Sequence, residues 1–262
     1  MTITDTSHED LRDLAAALTR QAGALLASRR LSDLGAATKS SPTDLEIVSG
    51  REAERVVLDE LAERRPDDAV LVNENRSRTG NSRVRWILNP LDGTVNYTHG
   101  LSSYGVSLAA EVDGVVVAGA VYSALLGTVF DAVLGGGARA DGDLVTCTGA
   151  TDLALSLIAT GFSDSADQRA RQGRAIAELL PAVGNFRRIG PATIDLCEVA
   201  AGHLDAFFEM DLEPWECAAG LLIAAEAGAS TGTVPTSHGE VVVAAAPGVY
   251  EQLVAELQRS YD

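Results

Sequence analysis

Apolar positions near the start of the chain recur at intervals of three and four. Leu11, Leu14, Ala15, Leu18, Ala22, Leu25 and Leu26 form one stripe, which predicts a helix from about residue 8 to 30. Ser49-Gly50-Arg51-Glu52 has the form of a capping box, and Ala53, Val56, Val57 and Leu61 carry a second stripe until Pro66 stops it. The pattern then changes to short β-rich runs at 70–72, 84–88, 105–112, 115–123 and 128–134. Asp113-Gly114 between two of these runs is a two-residue hairpin signal. Gly135-Gly136-Gly137 reads as a β turn and not as a phosphate loop, because no helix opens on it.

Beyond about residue 150 strands and helices alternate. Strand patterns near 155–160, 185–189, 204–209 and 240–245 are interleaved with helical patterns at 167–180, 192–201, 214–227 and 249–259. The predicted class is α/β. Residues 1–145 form an α+β half, with two helices on a largely antiparallel sheet, and residues 146–262 form an α/β half. No linker, repeat or low-complexity stretch separates them.

With 262 residues, 46% of them hydrophobic, the chain can bury one large core or two closely packed ones. No run of eighteen apolar residues occurs, and the N-terminus lacks a basic region followed by an apolar one. The expectation is a cytoplasmic protein with no membrane partner. Three widely spaced cysteines, Cys147, Cys197 and Cys217, fit neither a disulfide framework nor a zinc site and read as reduced buried thiols. The four histidines are scattered without ligand spacing. A net charge of −17 argues against a nucleic-acid partner, and an anionic substrate would have to be drawn by bound cations or a local basic patch.

The run Trp86-Ile87-Leu88-Asn89-Pro90-Leu91-Asp92-Gly93-Thr94-Val95-Asn96-Tyr97 brings such chemistry together. An apolar strand runs into a proline turn, after which a carbonyl, a carboxylate and a hydroxyl follow at Leu91, Asp92 and Thr94. Hard divalent ions take oxygen ligands of these kinds. Gly93 lets the main chain approach an anion closely.

This run resembles the signature of the inositol monophosphatase family, Asp-Pro-Leu/Ile-Asp-Gly-Thr-x-Asn-Phe/Tyr. Further stretches agree in order and spacing. Glu213-Pro214-Trp215-Glu216-Cys217-Ala218-Ala219-Gly220 resembles the family's Trp-Asp-x-Ala-Ala-Gly helix, and Lys39 to Leu45 resembles its opening segment. Leu71 to Asn75 resembles its Gly-Glu-Glu segment, and Arg188 to Ala192 with Asp205 to Glu209 resembles its substrate side. The resemblance implies the layered αβαβα sandwich of the inositol monophosphatase and fructose-1,6-bisphosphatase type, a homodimer, and hydrolysis of a small phosphorylated polyol or sugar by Mg2+-activated water. It also implies residue roles. Glu74, Asn89, Leu91 through its carbonyl, Asp92 and Glu216 would hold metal, while Glu74 and Thr94 would orient the water, with Asp92 part of the catalytic set. Gly93, Thr94, Gly190, Ala192, Glu209 and Lys39 would face the substrate.

Against that pattern this chain departs where charge matters. Asn89 stands in place of an Asp shared between two ions, Glu216 in place of a shorter Asp, Gly50 in place of an Asp, Asn75 in place of a Glu, and Ile47 in place of a polar residue. A neutral amide bridges two dications poorly, so metal binding is expected to be weakened. Three readings stay open: a phosphatase with fewer ions, a repurposed enzyme in the same cleft, and a ligand-binding homologue without catalysis.

Overall fold

The structure, a computed structural model, describes residues 7–29, 48–73 and 76–261, and the backbone of 37–38 and 45–46. Lys39, Ile47, Glu74 and Asn75 lie outside the described residues. Helix α1 (His8–Arg29) follows the predicted stripe and buries Leu11, Leu14, Leu18, Ala22 and Leu26. After a short ribbon of β1 (Ala37–Thr38) and β2 (Leu45–Glu46), helix α2 spans Val48–Arg64. It begins before Ser49, so Ser49 is not the cap expected from the sequence. That serine is buried inside the first turn, with its hydroxyl bonded to nothing among the described residues.

Strands β3 (Ala69–Asn73), β4 (Arg76–Arg78), β5 (Val84–Asp92), β6 (Gly105–Val112), β7 (Val115–Ser123), β8 (Thr128–Val133), β9 (Gly137–Ala140) and β10 (Asp143–Leu144) form one sheet. Its order is β10-β9-β8-β7-β6-β5-β3-β4, antiparallel except for the parallel β3–β5 pair. Helix α3 (Thr94–Thr98) follows β5 directly. The hairpin at Asp113-Gly114 has φ of 50° and 85°, the doubly left-handed geometry of a type I′ turn. The glycine triplet is a turn, and the Glu226 carboxylate accepts from the Gly135 and Gly137 N–H groups at 2.7 and 2.8 Å.

The second sheet has the order β12-β11-β13-β15-β14, built from β11 (Leu157–Thr160), β12 (Asn185–Arg187), β13 (Ala206–Met210), β14 (Ser230–Thr236) and β15 (Gly239–Ala245). Strand β11 runs parallel to β12 and β13, and the β14–β15 hairpin adds antiparallel pairing. Helices α4 (Ala166–Leu179), α5 (Ala192–Ala200), α6 (Pro214–Glu226) and α7 (Pro247–Tyr261) complete the chain.

Five layers result, and the strands show why. Trp86 and Leu88 of β5 face the core under α1 and α2, while Ile87 between them faces α5 and α6. In β13 Ala206, Phe208 and Met210 face α4 and α7, while Phe207 faces the α5–α6 layer. Both sheets are covered on both faces, which is why their strands read as apolar runs and not as alternation. Close approach is explicit at Gly119 of β7, where a Cβ would stand 3.0 Å from the Cβ of Ala219 in α6. The strands that sequence patterning passed over are short or at edges: β4 is Arg-Ser-Arg, and β14 carries Gly232 and Pro235.

Asp68 pins the start of the first sheet. Its buried carboxylate accepts from Trp86 Nε1 at 2.8 Å, Ser82 Oγ at 2.6 Å and Arg65 Nε at 2.6 Å. Asp68→Ala would leave the indole N–H, the hydroxyl and the guanidinium without their shared acceptor. A loss of about 2–4 kcal/mol is expected in urea unfolding, with Asp68→Asn intermediate.

Candidate active site

The site is assembled where β5 ends. Between Asn89, which pairs with Ser107, and Asp92, which pairs with Gly105, the register shifts, and Pro90 and Leu91 have no partner in the ladder. A bulge of this kind re-aims side chains. The strand therefore continues past Pro90 as far as Asp92, and the turn expected at the proline falls instead at Gly93, with φ of 80°. A Cβ at Gly93 would stand 2.9 Å from the Ser103 carbonyl. Thr94 opens α3, which is anchored by Tyr97 donating to the Leu26 carbonyl at 2.8 Å. Asn96 Nδ2 lies 2.8, 2.9 and 3.1 Å from the carbonyls of Ser103, Ile189 and Gly190, tying the loop to the second half of the chain.

From that second half, α5 begins after Gly190 and Pro191 and brings Thr193 onto Asp92. The Thr193 hydroxyl donates to Asp92 Oδ2 at 2.7 Å and its N–H to the same oxygen at 3.3 Å. Ala192 is buried at the first position of α5. Glu216 sits in the first turn of α6, where its Oε2 accepts from the Glu213 N–H at 2.9 Å. Glu209 lies near the end of β13 over Gly161, where any Cβ would come within 2.1 Å of the Glu209 carboxylate.

These groups share one electrostatic environment. Burial raises Asp92 above the ordinary carboxylate range, against hydrogen bonds from Thr193, Gly93 and the Asn89 side chain. Glu216 is pushed up to about 7, first by burial and then by the Asp92 charge. Glu209 is pushed up to about 8 by burial, with the Arg188 guanidinium pulling it back and Glu216, Asp92 and Asp195 adding to the rise. Asp195, one turn into α5, is likewise at about 7 through burial.

Asn89 and Asp92 of β5, Glu216 of α6 and Glu209 of β13 thus lie within hydrogen-bonding or electrostatic reach of one another, with Leu91 beside Asp92 on β5, Gly93 and Thr94 at the start of α3, and Gly190 and Ala192 on either side of Pro191 where α5 begins. Glu74 and Lys39 fall outside the described residues. His99 is exposed and faces its own helix, Nδ1 lying 2.9 Å from the Val95 carbonyl. Sequence reasoning missed Thr193 and Asp195, and placed Arg188 only within the substrate-side stretch. Thr193 had one legible signal, its place in the first turn after a Gly-Pro, where N–H groups need acceptors.

Among the described residues no group of three or more His, Cys, Asp or Glu side chains stands ready to hold an ion. Asp92 and Glu216 nonetheless fit a hard cation. Both are half-buried acids, the Asp92 charge raises the proton affinity of Glu216, and the Asn89 amide adds a polar neighbour.

A model of the inositol monophosphatase family matches residues 7–261. The inositol-1-monophosphatase of Mycobacterium leprae is 44% identical over 283 residues, covering 99% of this chain and 97% of that protein. The Nus factor SuhB of Escherichia coli K12 is 31% identical, covering 94% and 95%. The solved structure of Mycobacterium tuberculosis SuhB superposes with a TM-score of 0.85 at 41% identity, covering 98% of each chain.

The raised acids make stability depend on pH. A carboxyl whose folded pKa lies above its unfolded value favours folding at low pH, and that advantage is lost as pH rises through the folded value. With Glu216 and Asp195 at about 7 and Glu209 at about 8, the metal-free protein is expected to lose stability between roughly pH 5 and 8. Urea midpoints in EDTA across that range check the slope, which Glu209→Gln should flatten.

Proposed function

The chain belongs to the inositol monophosphatase family, and from that membership we propose that it is a Mg2+-dependent phosphomonoester hydrolase acting on a small phosphorylated polyol or sugar. The observation that carries the reading is the approach of Asp92 from the first sheet to Glu216 of α6, two half-buried carboxylates close enough that the Asp92 charge raises the proton affinity of Glu216. Asp92, Glu216, the Leu91 carbonyl and the Asn89 amide would hold the ion, together with Glu74. Mg2+, when bound, neutralises phosphoryl charge and lowers the pKa of an attacking water.

The chain's own groups do the rest. The Thr94 hydroxyl, with Glu74, orients the attacking water, while Gly93 and Thr94 turn the main chain toward the phosphate and Lys39 offsets its charge. Glu209, neutral below about pH 8, can both donate to and accept from a polyol hydroxyl. Gly190 and Ala192 would contact the same hydroxyls. Asn89 would weaken the metal site: its side chain donates to Asp92, and a neutral amide bridges two dications poorly. Gly50 and the longer Glu216 act in the same direction. We also assign the chain to a cytoplasmic homodimer divided into subdomains 1–145 and 146–262. No helix among the described residues is long and apolar enough to cross a membrane.

Asn89 also supports a second reading, a small-ligand-binding protein that turns nothing over. Phosphate release from inositol, sugar and bisphosphorylated sugar esters, with and without Mg2+, separates the two. Under the phosphatase reading Asp92→Asn removes Mg2+-dependent release while leaving the fold intact. Asn89→Asp places a carboxylate against Asp92, so Mg2+ affinity measured by calorimetry should rise on the order of tenfold or more. Unchanged affinity in that variant would remove the charge argument.

A further inference from the structure

We propose that Thr193 is a positioning residue for Asp92, and that through this pair one carboxylate both serves the cation site and caps helix α5 from the other half of the chain. The inference rests on the reading of Asp92 as a metal ligand.

Helix α5 has nine residues and is preceded by Pro191, whose side chain makes no capping hydrogen bond. The first N–H groups of a helix have no partner within it. Here the acceptor arrives from 101 positions away: Asp92 Oδ2 takes the Thr193 N–H at 3.3 Å and the Thr193 hydroxyl at 2.7 Å. Thr193 is fully buried, so water cannot replace its hydroxyl. The other oxygen, Oδ1, accepts from the Gly93 N–H at 3.1 Å. A carboxylate offers about four lone-pair sites. Donors at both oxygens therefore fix its plane. Among the donors from Thr193 and Gly93 the hydroxyl makes the shortest bond, so it contributes most of these to the orientation.

The arrangement has a consequence beyond geometry. Anything that binds Asp92 in its capped orientation also favours α5 docked against β5, and docking in turn favours binding, because linkage is reciprocal. Cation affinity and the joining of the two halves are coupled through one side chain. Thr193→Val keeps the shape and the N–H but removes the O–H, and Thr193→Ser restores it.

The test compares wild type, Thr193→Val, Thr193→Ser and the Asp92→Ala background by thermal melting in EDTA and by Mg2+ calorimetry. Thr193→Val is expected to weaken Mg2+ affinity by about 10- to 100-fold, the usual effect of losing a hydrogen bond to a ligand. It should lower the metal-free melting temperature by roughly 3–6 °C. Thr193→Ser should restore affinity to within about twofold of wild type, the spread expected of a retained O–H donor. In the Asp92→Ala background Thr193→Val should bring no further loss of Mg2+ affinity or melting temperature. Wild-type affinity in Thr193→Val, or no recovery in Thr193→Ser, would overturn the proposal. Failure of the wild-type protein to bind Mg2+ would overturn it together with the metal reading. Mg2+ binding without phosphate release would overturn only the phosphatase reading and leave Thr193 to be decided by the affinities.

Discussion

A helix buried on both faces can present polar chemistry mainly at its ends, and α5 and α6 are such helices. Each packs against both sheets, with Ile194, Cys197, Ala219 and Ile223 facing the first and Leu196, Val199, Cys217 and Ala224 facing the second. Their opening turns carry Thr193 and Glu216, and both turns come to the point where β5 leaves its ladder at Asp92. The layered architecture therefore decides where function can sit. Side chains along the two helices are committed to packing, while the helix N-termini, whose unpaired N–H groups favour anions, are the places where acids can be held.

Holding acids there carries an electrostatic cost that the fold does not remove. Glu209, Glu216 and Asp195 all have raised proton affinity because burial strips water from them faster than Arg188 and the local N–H groups compensate. Such a site is poised to take up either protons or cations. Asn89 softens this tension by putting an amide donor where a further carboxylate would stand. The frame of the loop is kept while its sequence carries one acid fewer than the family signature. The Asp92 carboxylate, in the loop that matches the family signature, is also bonded to the other half of the chain through Thr193.

Much of this was legible in sequence because it depends on local periodicity and local chemistry. The 3.6-residue stripe of α1, the apolar runs of β5 to β8, the Asp113-Gly114 turn and the alternation after residue 150 each follow from side chains near one another in the chain. The elements that escaped notice, β4, β9, β10 and β14, owe their extended form to a neighbour and not to their own composition. The capping box at Ser49 failed for a related reason: α2 starts one residue earlier and buries the serine, so packing overrode a local pattern.

The sequence by itself determined the elements, the family and the loop that carries Asp92, because these are properties of short segments and of their order. Only the tertiary structure decided which oxygens of Asp92 are used, that Thr193 across the chain supplies both donors to Oδ2, and that Glu209 shares a field with Glu216 and Asp195. Hydrogen bonds and Coulomb interactions depend on distances of a few ångströms, and pairs as far apart in sequence as Asp92 and Thr193 acquire such distances only when two sheets close on the helices between them.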